Sequence, residues 1–313
     1  MHKTAEKRIF IRLRLQLKEI AMKKIISIMT AVILSTSILL TGCGTQDKDL
    51  SGVGGSGAKG VKVIDIPLTQ EEYAYGVDKS QPELLSEVNK FIAQIKADGT
   101  YDSILNNYFG DGTPEEVVSA AFDESKDQLV VATNAGFEPF EYTAGDKYLG
   151  VDMEIAALLA NYLGKELVIN NMDFDAVCLS VGQGKADIAM AGLTIKEDRK
   201  EYVTFSDKYY DAAQKLIVKA SDTRFDNCKT AADVEKILSG FDSKVKIGVQ
   251  NGTTGQFYVQ GDADWGFDGF KVTCVGYKSG SLAVQDMING NIDFVIIDEA
   301  PAKFITEAIN SLN

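Results

Sequence analysis

Leu129-Val130-Val131-Ala132-Thr133-Asn134-Ala135-Gly136-Phe137-Glu138-Pro139-Phe140 decides how this chain is read. An uninterrupted apolar run, the right length for a strand buried on both faces, gives way to a loop carrying two aromatic rings. Working outward, helical spacing over 151–163, a strand pattern at 166–171, a helix at 174–182 and a strand at 187–192 follow in turn. A short helix is expected around Arg199, and Lys215–Lys219 reads as an exit strand. A second series repeats the alternation: strands at 245–250, 270–275 and 293–298, helices at 254–260, 279–289 and 300–312. Alternation of this kind predicts an α/β fold of two lobes, each with a mainly parallel sheet and flanking helices. Ligands of such sheets bind at the carboxyl ends of the strands. Asn134, Phe137, Phe174, Gly192 and Thr194 all fall at those ends, and Arg199 follows Thr194 by five residues. An Arg beside free backbone N–H groups and a Thr hydroxyl suits a planar carboxylate, with two rings to flank whatever carries it.

Composition narrows the function further. The chain has 313 residues, enough for about two domains, and 45% of them are hydrophobic. The first 42 residues hold eight basic side chains against Glu6 and Glu19, so the remainder carries 24 basic and 43 acidic residues, a net charge near −19. That balance argues against nucleic acid, which needs a basic face, and against docking on anionic lipid. The only histidine is His2, which removes Ser-His and Cys-His catalysis and histidine metal sites together. No metal or cofactor is expected. Gly52-Val53-Gly54-Gly55-Ser56-Gly57 spells a dinucleotide fingerprint, but no strand precedes it and no helix follows, so it reads as linker.

Met22-Lys23-Lys24 and the apolar run Ile25–Leu40 read as a secretory signal, too short for a membrane span. Met22 is a second candidate start. The segment closes on Leu40-Thr41-Gly42-Cys43, which resembles the lipobox of bacterial lipoproteins and implies lipidation of Cys43, extracytoplasmic placement and a membrane anchor. Gly44–Gly60 is then a Gly-rich tether with a reach of about 20–25 Å. Beyond Cys43 the cysteines are Cys178, Cys228 and Cys274; their spacing implies no disulfide, and Cys178 and Cys274 read as small buried hydrophobes.

Before the two series come a short β-branched run at Val61–Ile66, a strand candidate at Tyr73–Val77, and a helix at 82–97 with Leu84, Leu85, Val88, Phe91, Ile92 and Ile95 on one face. Asp98-Gly99 stops it, and a shorter helix runs through Leu105 and Phe109. Gly110–Asp127 is acidic and reads as a connector with a weak helix from Pro114 to Ala121.

The strings GFEPFEY (136–142), GKADIAMAGLTIKEDR (184–199), VTFSDKYY (203–210), GVQNGTTG (248–255), NGNIDFVIIDEAPA (289–302) and PLTQEEYAYGV (67–77) resemble the family 3 solute-binding proteins of ABC transporters. The resemblance covers about 61–109 and 128–313. It implies a type II periplasmic-binding-protein-like fold, no catalysis, and a receptor that takes a free amino acid between two closing lobes and hands it to a membrane permease. On pattern alone, Arg199 fits a solvated helix face shared with Glu197, Asp198 and Glu201. Asp298 fits an N-cap, Asn251–Gly255 an ordinary turn, and Phe137 and Phe174 fit core. The resemblance instead assigns Arg199 and the Thr194 N–H to the ligand carboxylate, with Thr253 joining from the other lobe. It assigns the Gly192 carbonyl, the Thr194 hydroxyl and Asp298 to the ammonium, and Phe137 and Phe174 to the side chain. Relatives often carry an acid where Asn134 stands, so the amide favours an uncharged polar ligand, although Glu138, Tyr142 or Asp173 could supply negative charge.

One departure from the family order is large. The segment like PLTQEEYAYGV ordinarily comes near the C-terminus, and here it precedes the rest, so a circular permutant is expected. Lobe one would run from 73 to 214 with the connector at 110–127. Lobe two would combine 61–69 with 219–313, with hinges near 70–73 and 215–218. Eighteen connector residues span at most about 60 Å, more than one lobe needs, so a monomer is expected; a swapped dimer is the alternative. Two rival functions share the fold: a dehydratase acting on prephenate-like acids, with Glu138 or Asp173 as general acid, and a ligand-sensing module without transport. The chain ends at Asn313 with no signalling segment, which favours a tethered receptor.

Overall fold

The computed structural model describes residues 60–263 and 266–312. The signal segment, Cys43 and the tether through residue 59 lie outside the described residues. In chain order, β1 (Val61–Ile64), β2 (Glu71–Tyr73) and β3 (Gly76–Asp78) lead into α1 (Pro82–Ala97) and α2 (Thr100–Phe109). Pro82 opens α1, where its missing N–H costs nothing, and Val88, Phe91, Ile92 and Ile95 form its buried stripe. Gly99, at φ 83°, turns the chain from α1 into α2 in a conformation that a Cβ would oppose.

Next come β4 (Gln128–Thr133), β5 (Gly136–Phe137), β6 (Glu141–Ala144), β7 (Lys147–Leu149), α3 (Val151–Leu163) and β8 (Glu166–Asn171). A 3₁₀ turn at Phe174–Ala176 runs into α4 (Val177–Gly182), then β9 (Ile188–Ala189), a second 3₁₀ turn at Arg199–Glu201, β10 (Val203–Phe205), β11 (Tyr210–Ala212) and β12 (Gln214–Lys219). The last third holds α5 (Ala231–Leu238), β13 (Lys246–Gln250), α6 (Thr254–Gln260), β14 (Thr273–Tyr277), α7 (Gly280–Ile288), β15 (Phe294–Asp298) and α8 (Glu299–Ser311).

Two five-stranded sheets define two lobes, in the orders β10-β3-β9-β4-β8 and β1-β12-β15-β13-β14. Each has three parallel strands, β9-β4-β8 and β15-β13-β14, contributed by the alternating segments. Each is then extended by two antiparallel strands, β3 and β10 in the first lobe, β12 and β1 in the second. Those antiparallel strands carry the chain between lobes, which is why they do not follow βαβ geometry. Between the sheets, β2 and β11 pair as a two-stranded ribbon with Tyr73 opposite Tyr210. Residues 215–218, read from the sequence as a hinge, lie within β12 and pair with β1 and β15; the paired strands at the crossing are 71–73 and 210–212.

The connector differs from its expected form. No helix occupies 114–121; Val117 bridges Tyr148, the Ala120 N–H donates to the Leu167 carbonyl, and the Ile169 N–H donates to Ser119 Oγ. The segment is held extended against the exposed side of β7 and β8, and those bonds outweigh its weak helical pattern. Glu154 fastens its start, accepting from the Glu115 N–H at 2.7 Å, Tyr108 Oη at 2.6 Å and Asn107 Nδ2 at 3.1 Å.

Candidate functional site

The parallel strands of both sheets end toward one region: β4 at Asn134, β8 before Phe174, β9 before Gly192, β13 at Gln250 and β15 at Asp298. Gly192 allows the loop after β9 to pass close to an aromatic wall. Its φ is 53°, and a Cβ there would sit 2.9 Å from Phe137 Cε1 and 3.3 Å from Tyr73 Cε2. Its N–H donates to Asp152 Oδ2 at 2.9 Å, and the same carboxylate accepts from Tyr209 and Tyr75. Burial raises the Asp152 pKa to about 7, against the pull of those three donors.

Arg199 is 7% exposed. One terminal nitrogen donates to the Thr194 carbonyl at 2.7 Å, and the other reaches the second lobe, to the Gly252 carbonyl at 3.1 Å. The guanidinium lies 5.2 Å from the Phe174 ring centroid, in cation–π contact. The solvated-helix alternative does not describe this side chain. Glu197 pairs with Lys200 instead, and Asp198 takes the Arg199 backbone N–H rather than the guanidinium. Among the described residues no carboxylate forms a salt bridge with Arg199, so a buried charge is met by neutral carbonyls and a ring face. Beside it, a cavity of about 270 Å³ is lined by Phe174, Arg199 and the acids Asp175, Asp198 and Glu201 of the first lobe and by Gly252 and Phe257 of the second; of the residues expected at the site only Phe174 and Arg199 line it. Cys178, Cys228 and Cys274 are free thiols; burial raises the pKa of Cys178 despite the nearby Arg199.

Asp298 is 4% exposed and accepts from Tyr73 Oη at 2.5 Å. It occupies the N-cap position of α8, yet its side chain makes no cap bond; the carboxylate is turned to the tyrosine. Burial, then the charge of Glu71, raises its pKa to about 7, opposed by the tyrosine bond. Thr253, the N-cap residue before α6, donates its hydroxyl to the Gln250 carbonyl at 2.8 Å rather than capping the helix. Asn134 joins the lobes: its Nδ2 donates to the Met172 carbonyl at 2.6 Å, and its Oδ1 accepts from Gln250 Nε2 at 2.9 Å. Phe137 packs on Gly192 and near Phe140, whereas Phe174 lies under Arg199; among the described residues no ring contact joins Phe137 to Phe174.

Several residues of this region were not singled out by sequence. Glu71, on β2, is 6% exposed and gathers hydroxyl groups from both lobes. Glu141 is fully buried, neither of its oxygens has a hydrogen-bond partner, and burial holds its pKa well above the usual range. Lys196 of the first lobe meets Asp262 of the second at 2.8 Å with both side chains buried. The acid pair Glu71-Glu72 beside Tyr73 was visible in the sequence, but nothing local marks one of the two as buried. Of the two carboxylates named as candidate general acids, Asp173 pairs across the lobes with Lys278 at 3.0 Å, and burial raises the pKa of Glu138.

Comparison with known proteins adds an independent line. The family model of the bacterial extracellular solute-binding proteins, family 3, matches residues 3–111 and 129–302. The chain is 35% identical over 107 residues to the arginine-binding extracellular protein ArtP of Bacillus subtilis (strain 168), covering 34% of this chain and 42% of that protein. It is 31% identical over 175 residues to ABC transporter arginine-binding protein 1 of Escherichia coli (strain K12), covering 56% of this chain and 64% of that protein. The chain thus spans less than two thirds of the length of each of these two relatives. An ancestral arginine-binding protein solved with arginine bound is 33% identical, with 58% of this chain and 75% of that chain covered and a TM-score of 0.49.

Proposed function

Because the chain belongs to the bacterial extracellular solute-binding proteins, family 3, and has a two-lobed α/β fold of the type II periplasmic-binding-protein kind, we propose that it is a receptor for a free amino acid. It captures the amino acid between its lobes, performs no chemistry on it, and delivers it to an ABC permease. The observation that carries this is that Arg199 on one lobe and Asp298 on the other are both buried, and that among the described residues neither forms a salt bridge. A zwitterion answers both charges at once, and it does so only when the lobes meet, so binding shifts an open–closed equilibrium by its differential affinity. Arg199, the Thr194 N–H and Thr253 serve the carboxylate. Asp298, the Gly192 carbonyl and the Thr194 hydroxyl serve the ammonium, and Phe137, Phe174 and Asn134 face the side chain.

The side chain is polar and uncharged. In support, Asn134 meets a second neutral amide, Gln250, and Asp173, one of the groups that could supply negative charge, is already matched by Lys278. A thermal-shift screen of the common amino acids tests this, since a tight ligand raises apparent stability by mass action. Glutamine and other neutral polar residues are expected to give the largest shifts. A larger shift with arginine, the ligand named for several relatives, would replace the side-chain assignment and keep the receptor. Turnover of prephenate or arogenate would replace the receptor with an enzyme.

The protein is further proposed to be anchored at Cys43 and to be a monomeric circular permutant. In support, β1 pairs with β12 of the second lobe, and Asn310 near the end of α8 grips Val61 on both sides, accepting from its N–H at 3.0 Å and donating to its carbonyl at 2.8 Å. That clasp sets the first described strand beside the last helix, where permuted ends would lie.

A further inference from the structure

Glu71 has more to do than bridge two lobes. Its Oε1 accepts from Thr69 Oγ1 at 2.6 Å and Gln214 Nε2 at 3.1 Å. Its Oε2 accepts from Thr194 Oγ1 at 2.6 Å and Thr254 Oγ1 at 2.8 Å. Four donors thus converge on the two oxygens of this carboxylate. Gln214 Nε2 shares its two protons among Glu71, Thr254 Oγ1 at 2.9 Å and Asp298, while the Thr254 hydroxyl donates to Glu71 Oε2. Thr194 has one hydroxyl proton, and it too points at Glu71. The remaining lone pairs of Thr194 Oγ1 can then only accept.

The polarity of Thr194 is thereby divided along its length. Its carbonyl faces the cation Arg199 at 2.7 Å, and its hydroxyl is turned into a pure acceptor by Glu71. Tyr73, whose hydroxyl donates to Asp298 at 2.5 Å, is bridged to Thr194 through the backbone. We propose that Glu71 is the positioning residue that sets the polarity of the clamp: by taking the hydroxyl proton of Thr194, it makes that end of the site a receptor for a cationic ammonium group and closes it to anions. The proposal rests on the amino-acid-receptor reading above. It adds a residue remote in sequence, 123 positions from Thr194 and 183 from Thr254.

The test compares an amino acid with its analogue lacking the α-amine. L-glutamine is paired with glutaramic acid and L-arginine with 5-guanidinovaleric acid, each titrated calorimetrically into the full-length protein and into Glu71→Gln. With the new amide NH2 in the place of Oε2, where its oxygen keeps the bonds from Thr69 and Gln214, the Thr194 and Thr254 hydroxyls both lose their acceptor, and the Thr194 proton is free to turn toward the cleft. Affinity for the amino acid is expected to fall roughly ten- to hundredfold, the range for one bond to a charged group, while the des-amino analogue binds within about threefold of wild type. The preference for the amine would thus collapse, which loosened packing alone would not produce. An unchanged preference in a folded Glu71→Gln protein would overturn the proposal. If that variant does not fold, Thr194→Val serves: loss of the hydroxyl acceptor should lower the same ratio, and an unaltered ratio would again overturn it. Wild-type protein that binds neither amino acid would instead remove the receptor reading on which all of this stands.

Discussion

The substitution Asp262→Asn should hold the lobes apart without touching any ligand-facing group. Asp262, in the loop after α6, meets Lys196 of the first lobe at 2.8 Å, with side-chain exposures of 6% and 4%. The ammonium also lies 4.7 Å from the Phe257 ring centroid and 3.4 Å from Asp198. Burial works to lower the Lys196 pKa, yet the two carboxylates outweigh it and leave the pKa raised, so the closed form holds a charged lysine. Opening the lobes returns both partners to water; closing them in the variant would bury an ammonium that has lost its strongest partner. Removing one member of a buried pair costs about 3–5 kcal/mol, and the surviving Asp198 and ring contacts reduce this to roughly 1–3 kcal/mol. Since the penalty falls on closure, it should appear as a loss of affinity of roughly five- to 150-fold, about tenfold for each 1.4 kcal/mol. Calorimetry with L-glutamine and L-arginine measures that loss, and small-angle scattering should show a larger radius of gyration than wild type at equal ligand. The double replacement Lys196→Met with Asp262→Leu restores a neutral interface and should recover most of the affinity. An Asp262→Asn protein that is folded, binds as tightly as wild type and scatters identically would refute the reasoning.

Arg199→Ala should abolish useful binding, at about 2–5 kcal/mol for a stranded carboxylate; unchanged affinity by calorimetry would mean that the site lies elsewhere. Arg199→Lys should rescue little, because an ammonium cannot reproduce the two-pronged fork that spans Thr194 and Gly252. Affinity should strengthen with pH up to about 7 and then level off. Asp298, faced by Glu71, Tyr73 and the more remote Glu141, is raised to about 7 in the ligand-free protein, whereas an ammonium favours its ionised form, so binding releases a proton; calorimetry in buffers of different ionisation enthalpy reads that release directly. Glu141→Gln should flatten the pH dependence of stability. A carboxyl whose folded pKa is raised is neutral in the fold while its unfolded counterpart ionises above about 4.5. Wild-type stability therefore falls as pH rises from there toward the folded pKa, by at most about 1.4 kcal/mol per pH unit. Equal slopes for the variant and wild type in denaturant titrations between about pH 5 and 8 would rule this out.

The alternation of strands and helices was legible in the chain because each βαβ unit repeats a local pattern: β4, α3 and β8, and later β13, α6 and β15, fall within a residue or two of where periodicity puts them. Arg199, Thr194 and Asp298 were legible as residues at strand ends, though periodicity left each of them a bland reading that resemblance had to displace. The short hairpin β5–β7 and the helix α5 went unread. The latter carried a signal in Thr230 and Asp233, whose side chains form a capping box. The connector misled in the opposite direction, since its weak helical spacing yields to edge bonds with Tyr148, Leu167 and Ile169. What only the tertiary structure decided is which charges are buried together. Glu71 and Glu72 are adjacent and chemically alike, but one is enclosed by threonines from both lobes while the other reaches Lys208 on the surface. Lys196 stands among Glu197, Asp198 and Arg199 in a run that reads as solvated, and it is sealed by Asp262 and Phe257 from the other lobe. Sequence patterns report which face of its own element a residue occupies. Whether a second lobe then covers that face depends on contacts between segments far apart in the chain, and local propensity carries no term for them.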